Sequence, residues 1–220
     1  MSSAVIQLLV LAGVAIFLIL RLRSVLGTRE GFEKPPAPQE APSSRSKRPN
    51  LEVIEGGPDE DITDHVPDGS DQAVALAAMK SIDPTFSVNE FLGGARGAYE
   101  MILMAFENGD LASIKPFLSD DVYESFASVV DAREEQGLSI EANFIGVREM
   151  SLNDATFDPA TKEGEVTVRF VGELTSVVHD NAGEIVEGSP TEIKRQKDNW
   201  TFARVMDADD PNWQLVATGE

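Results

Sequence analysis

The sequence predicts an α+β fold in which N-terminal helices pack on a curved antiparallel sheet, preceded by one transmembrane helix and a disordered linker. The chain opens with a long apolar run, later has apolar residues at three- and four-residue spacing, and after residue 137 changes to apolar residues at alternate positions. Helices followed by a run of antiparallel strands are typical of domains in which the helices cover one sheet face. The predicted boundaries are 1–26 for the anchor, 27–72 for the linker and 73–220 for the domain.

The composition excludes several classes of function. The 220 residues contain no cysteine, which excludes disulfides, thiolate metal sites and thiol nucleophiles. The 38 acidic side chains outnumber the 18 basic ones and give a formal net charge of −20. Because nucleic-acid binders neutralise phosphates with clustered lysine and arginine, we expect no nucleic-acid partner.

The first predicted element is a membrane anchor at residues 4–20, whose only polar side chain is Gln7. A helix of this length spans ~25 Å of a hydrocarbon core of ~30 Å. Arg21 and Arg23 follow the run and no basic residue precedes it, which favours an uncleaved anchor over a secretory signal. Since basic residues mark the cytoplasmic side, we expect a single-pass protein with its C-terminal domain in the cytoplasm, and in a bacterium the membrane would be the inner membrane. The lipid bilayer would contact Ala4, Val5, Ile6, Leu8, Leu9, Val10, Leu11, Val14, Ile16, Phe17, Leu18, Ile19 and Leu20.

The second predicted element, residues 27–72, is a disordered linker. Prolines recur and apolar residues are isolated, so little burial is available to offset the entropy of ordering. Near the membrane, Arg21, Arg23 and Arg29 either contact anionic headgroups or serve only as a topological stop signal. Acidic residues cluster at 59–71, where the calcium-loop pattern fails because Asp64 takes the place of the required glycine. We therefore expect this acidic segment to be a solvated spacer.

Helices begin the predicted domain. Residues 72–82 form a short apolar segment, and the apolar residues between Val88 and Phe106 form one helical stripe. A serine with a glutamate three residues later is typical of a capping box, and a glycine after the stripe suits a left-handed stop. The predicted helix starts and stops are Ser87 with Glu90, Gly109, Asp110, Ser119 and Gly137.

Strands are predicted for the second half of the chain. Apolar and polar residues alternate from Val166 to Leu174, and residues 180–183 supply a hairpin turn. Further strands are predicted at 140–152, 155–158, 191–205 and 213–218. A curved sheet closed by helices often leaves an apolar pocket between the layers. Six aromatic residues are candidates either for lining such a pocket or for filling the core: Phe106, Phe117, Phe126, Phe144, Phe170 and Trp200.

Three segments resemble a known family: residues 91–126, residues 169–188 (RFVGELTSVVHDNAGEIVEG) and residues 200–218 (WTFARVMDADDPNWQLVAT). They are similar to the C-terminal domain of subunit 44 of the mitochondrial inner-membrane protein-import translocase. The resemblance implies a fold of the cystatin or nuclear-transport-factor-two type, which docks on the inner membrane and has an apolar pocket proposed for lipid or acyl chains. In mitochondria the family tethers the seventy-kilodalton heat-shock chaperone to the import channel, which implies a translocase or chaperone component as protein partner.

The residues themselves point away from catalysis. His65 and His179 do not form a metal-binding pair, and the glycines of 93–97 lie within a helical stripe rather than after a strand. We therefore expect no enzyme, catalytic residue, metal or cofactor. A remote alternative is a proton-transfer enzyme in which Tyr99, Tyr123, Asp131 or Asp154 converge. The main expectation is a membrane-anchored adaptor or scaffold that binds proteins near the bilayer, and the alternative is a domain that binds lipid or acyl chains.

Overall fold

A computed structural model describes residues 58–219, so the predicted anchor and most of the predicted linker lie outside the described residues. The described part has helices first and strands second. The helices are α1 Glu60–Thr63, α2 Asp71–Ile82, α3 Val88–Glu107, α4 Leu111–Ile114, a short 3-10 helix Lys115–Phe117 and α5 Asp120–Glu135. The strands are β1 Ser139–Asp158, β2 Glu163–His179, β3 Ile185–Val205 and β4 Gln214–Gly219.

The four strands form one antiparallel sheet in the order β1-β2-β3-β4, which confirms the α+β prediction. Three register shifts interrupt the pairing of β1 with β2, and such bulges bend and twist a long strand. One of them, between Leu152 and Asp154, corrects the prediction of separate strands at 140–152 and 155–158. The bulge continues the pairing where the alternating pattern breaks, so both segments belong to β1.

The predicted start and stop signals of the helices are confirmed. The Ser87 hydroxyl accepts a hydrogen bond from the Glu90 amide at 3.3 Å, and Ser119 accepts one from the Val122 amide. Gly109 follows α3 with a φ of 73°, which is the left-handed conformation that favours glycine after a helix. These signals fix where the long helix α3 begins and ends.

The acidic segment 59–71, predicted to be a solvated spacer, belongs to the fold. Ile62 is 4% exposed and Val66 is 7% exposed, so both contribute to the core. The Asp61 carboxylate accepts hydrogen bonds from the Val88 amide at 2.8 Å and the Asn89 amide at 3.0 Å. It therefore caps α3 from a different helix. The prediction was wrong for two reasons. The segment contains two apolar residues that reach the core, and the hydrogen-bond partners of the Asp61 carboxylate come later in the chain.

The core lies between the helices and one face of the sheet. Tyr99, on α3, is fully buried and stacks on Phe170 of β2 with ring centroids 4.4 Å apart. The Trp200 ring of β3 lies 4.7 Å from the Tyr99 ring, measured between centroids. Gly172 permits this approach, because a Cβ atom there would lie 2.7 Å from the Tyr99 hydroxyl oxygen. The aromatic cluster thus holds α3 against the two central strands.

Candidate functional site

The candidate site is an open groove of about 550 Å³ beside the N-terminal half of α3. One wall is the exposed face of α3, and the opposite side comes from the end of β3 and the turn before β4. Phe117, at the end of the 3-10 helix, also lines the groove. The groove therefore forms where the helical layer meets the last two strands.

The floor of the groove is aromatic. Phe91 of α3 lies 4.6 Å from the Trp213 ring and 6.0 Å from the Phe202 ring. Phe86 lies 5.7 Å from Trp213. Phe86, Phe91 and Phe202 are nearly buried, whereas Trp213 is partly exposed. Aromatic side chains of this kind supply large apolar contact areas with little conformational freedom to lose, which suits a binding surface.

Small residues form the α3 wall of the groove. Gly94 and Gly97 line it, and a Cβ atom built at either position would meet nothing within 4 Å. Glycine inside a helix costs about 0.5–1 kcal/mol relative to alanine. Packing within the described residues does not require these two glycines. They leave a smooth wall against which another molecule can approach the helix backbone closely.

A charged pair closes one end of the groove. Arg204 of β3 is ion-paired to Asp83, and its guanidinium lies 5.4 Å from the centre of the Trp213 ring. A hydrogen bond from Thr85 and the Arg204 guanidinium hold the pKa of Asp83 below its usual value, although burial pushes it upward. The Arg204 Nε atom is buried and has no hydrogen-bond partner among residues 58–219. This ion pair forms a polar end of the groove beside the aromatic floor, and the two charges largely neutralise each other.

The six aromatic residues predicted either to line a pocket or to fill the core all belong to the core or pack against it, and they do not form one pocket. Phe117 lines the groove, whereas Phe170 and Trp200 are core residues that pack on Tyr99. The remaining predicted residues also lie outside the groove lining: Phe144 packs on Tyr99, and Phe106 and Phe126 form their own ring pair at 4.5 Å. The prediction missed Phe86, Phe91, Phe202 and Trp213 as floor residues. Trp213 could have been found, since it follows Asp210 and Pro211 in a turn where a large aromatic side chain has little reason to be buried.

The residues proposed to converge for proton transfer do not lie together. Asp154 accepts a hydrogen bond from Gln72, whereas Tyr123 and Asp131 line a separate depression formed by α5 residues alone. Tyr99 instead donates to Asp198. Burial, this hydrogen bond and the charge of Asp198 raise the pKa of Tyr99, which makes the phenol a weaker acid. Within residues 58–219 there is no group of three or more histidine, aspartate or glutamate side chains arranged to hold a metal ion.

The predicted membrane anchor, residues 4–20, and the arginines at 21, 23 and 29 lie outside the described residues. In the part of the chain that is described, none of the helices combines the length and apolar character needed to cross a membrane. His179 lies at the end of β2, where a ring nitrogen is 3.3 Å from the Gly183 carbonyl oxygen of the hairpin turn.

Fold and groove together define a helix-covered α+β domain with an open apolar groove between helix and sheet. The model of the Tim44-like domain matches residues 72–220, and the chain belongs to this family. It is 24% identical over 151 residues to the human mitochondrial import inner membrane translocase subunit TIM44, and 24% identical over 152 residues to subunit TIM44-1 of Arabidopsis thaliana. These matches cover 67% and 66% of this chain but only 33% and 32% of the relatives, so the chain spans about a third of their length.

Among solved structures, one chain that the comparison matches is the intermembrane-space region of the chloroplast protein ARC6. The likeness covers 66% of this chain and 94% of that chain, with a TM-score of 0.37 and 10% sequence identity.

Proposed function

We propose that this protein is a membrane-anchored adaptor at the cytoplasmic face of a bacterial inner membrane. Residues 4–20 would cross the bilayer, and the linker would let the folded domain move near the membrane while it binds a protein partner. The apolar run with its flanking arginines supports the anchor. Relatives that are subunits of an import translocase support a translocase or chaperone component as partner. This role requires no chemical turnover.

The groove carries the proposal. Its aromatic floor and glycine wall offer contact area to another molecule without requiring a rearrangement of the core. The exposed face of α3 and the partly exposed Trp213 ring are both accessible along it. We place the partner's apolar side chains on Phe91 and Trp213, with its backbone against Gly94 and Gly97.

Charge indicates the kind of partner. Residues 58–219 contain 32 acidic and 11 basic side chains. The groove is lined by Glu90, which has no ion-pair partner within the described residues, and by Asp83, whose partner is Arg204. An acidic domain attracts basic molecules and is repelled by an anionic bilayer. We therefore expect a protein segment with apolar residues and basic flanks.

Site-specific photocrosslinking in membranes tests the proposal. A photoreactive side chain replaces Gly97, which lines the groove, or Gly93, which is exposed on the same helix but does not line it. Neither substitution meets a neighbour within 4 Å, so the two variants are matched. We expect a discrete protein adduct, identified by mass spectrometry, from position 97 and not from position 93. Equal yields from both positions, or no protein adduct from either, would contradict the adaptor function.

The apolar floor also favours a second candidate, the binding of a lipid acyl chain. A groove of about 550 Å³ with four aromatic rings at its base offers an acyl chain a low-polarity surface. The same crosslinking experiment separates the two functions. A lipid adduct at position 97, with no protein adduct, would support lipid binding and reject the adaptor.

A further inference from the structure

The turn that carries Trp213 into the groove lies outside the packed core. Residues 207–212 are all exposed, and the chain returns to the core at Leu215. The start of the turn is fixed, because Met206 is buried and its amide donates a hydrogen bond to the Lys162 carbonyl oxygen at 2.9 Å. Trp213 comes at the other end and is only partly buried. The position of this ring therefore depends on what holds the second half of the turn.

Arg204 connects that half of the turn to the loop before α3. Its Nη1 atom donates a hydrogen bond to the Pro211 carbonyl oxygen at 3.4 Å, and its guanidinium carbon lies 5.4 Å from the centre of the Trp213 ring. Its Nη2 atom is ion-paired to Asp83, which follows α2. In the described part of the chain, no other side chain from outside 208–213 forms a hydrogen bond with that stretch. One guanidinium thus joins the turn to the opposite side of the groove.

The guanidinium is itself held in place. The Arg204 side chain is 11% exposed and the Asp83 side chain is 17% exposed, so water competes little with their ion pair. The Asp83 carboxylate also accepts hydrogen bonds from the Thr85 hydroxyl at 2.6 Å and from the Thr85 amide at 3.0 Å, which fix it to the loop. A planar guanidinium can bond two acceptors in fixed directions, whereas a lysine ammonium is a point charge on a flexible stem.

We propose that Arg204 is the positioning residue of the groove, which places the Trp213 ring on the floor by linking Asp83 to the turn. It acts through the geometry of its fork rather than through its charge. Arg204 affects a bound partner only through Trp213. The consequence for the partner rests on the proposed adaptor function, but the position of Trp213 can be measured without a partner.

Fluorine NMR of the full-length protein in detergent micelles, labelled with fluorotryptophan, tests the position of the ring. The chain has two tryptophans, so two resonances are expected, and the variant Trp213→Phe assigns them. Arg204→Lys keeps the positive charge and removes the fork. We expect it to move the Trp213 resonance toward its position in the urea-unfolded protein and to leave the resonance of Trp200, a core residue, unchanged.

Arg195→Lys is the matched control, because Arg195 lies on the same strand and is also ion-paired, to Glu173 at 2.8 Å, but does not line the groove. It should leave both tryptophan resonances unchanged. An unmoved Trp213 resonance in Arg204→Lys would overturn the proposal. A displacement of both resonances in that variant would also overturn it, because Arg204 would then support the whole core rather than one ring.

Photocrosslinking from position 97 tests the consequence for the partner. In the Arg204→Lys background we expect the yield of the protein adduct to fall at least about fivefold, and in the Arg195→Lys background we expect it to stay the same. A full yield in Arg204→Lys despite a displaced Trp213 resonance would overturn the positioning role. Absence of any adduct without these substitutions would contradict the adaptor function instead, and the resonance of Trp213 would still decide whether Arg204 positions the ring.

Discussion

The Tyr99 hydroxyl donates a 2.5 Å hydrogen bond to the Asp198 carboxylate and thereby ties the middle of α3 to β3. Both residues are buried, so water does not replace this bond when it is lost. The bond also joins the aromatic core, to which Tyr99 belongs, to the polar stretch of β3 that contains Asp198.

Tyr99→Phe is expected to lower the free energy of unfolding by about 1–3 kcal/mol at neutral pH, because Asp198 loses one of its two hydrogen-bond donors and keeps only Gln196. The pKa of Tyr99 is raised in the folded protein. The stabilisation that Tyr99 contributes is therefore fully present below about pH 10, the pKa of an unfolded tyrosine. It is lost as the pH rises toward the pKa of Tyr99 in the folded protein. Urea unfolding at pH 7 and pH 11 should show an alkaline loss of stability that is smaller in Tyr99→Phe. Tyr123→Phe, which changes the other tyrosine of the chain, should retain the full loss.

Gly172→Ala is expected to destabilise the protein by about 1–3 kcal/mol, because the new methyl group would lie 2.7 Å from the Tyr99 hydroxyl oxygen in a packed core. Thermal unfolding followed by circular dichroism provides the measurement. Gly93→Ala is the control: its Cβ meets nothing within 4 Å and alanine favours the helix, so stability should rise or stay unchanged. Equal effects of the two substitutions would show that Gly172 is not a contact position.

Asp61→Asn is expected to cost about 1–3 kcal/mol at neutral pH, because the carboxylate caps α3 and binds Lys80 at 2.7 Å. Burial pushes the pKa of Asp61 upward, but hydrogen bonds from Lys80, Asn89, Val88 and Ser87 outweigh it and hold the pKa well below its usual range. Its stabilisation is therefore present above about pH 4 and is lost as the pH falls toward the folded value.

Chemical unfolding between pH 2 and pH 7 measures this acid dependence. The unmodified protein should lose more stability than Asp61→Asn over that range, so the two curves should converge at the acid end. Asp64→Asn, an exposed position at the end of the same short helix, is the control and should follow the unmodified protein. Parallel curves for all three proteins would contradict the capping role.

The two tryptophans should respond differently to a soluble quencher. Trp213 is partly exposed in the groove, whereas Trp200 is 4% exposed. We expect acrylamide to quench the tryptophan fluorescence of the unmodified protein clearly. The variant Trp213→Phe, which retains only Trp200, should be quenched several-fold less. A photocrosslinked partner at position 97 should protect Trp213 from quenching. Unchanged quenching in Trp213→Phe would show that the groove is closed.

Deletion of residues 1–23 tests the predicted anchor. The shortened chain is expected to move from the membrane fraction to the soluble fraction, because the apolar run and two of its flanking arginines are removed. Fractionation of cells followed by immunoblotting makes the measurement, with carbonate extraction of the full-length protein as its counterpart. Attachment that persists after the deletion would show that the folded domain itself binds the bilayer.

Features encoded by neighbouring residues could be predicted from the sequence. Ser87 lies three residues before Glu90, and the hairpin turn at 180–183 lies between two alternating runs, so both signals are local. Contacts between distant residues could not be predicted in this way. Asp61 caps a helix that begins at Val88, and Tyr99 bonds a residue 99 positions later. The groove depends on such distant contacts, because its floor combines residues of α3, β3 and the turn before β4.

The position of Asp61 has a mechanical consequence. A pull on the chain before Pro58 would reach the domain through α1, whose carboxylate is attached to the first amides of α3 and to Lys80 of α2. The load would then be shared between α2 and α3, because Asp61 binds both helices. Tension on the N-terminal segment would therefore strain the contacts of Asp61 before it reached the sheet.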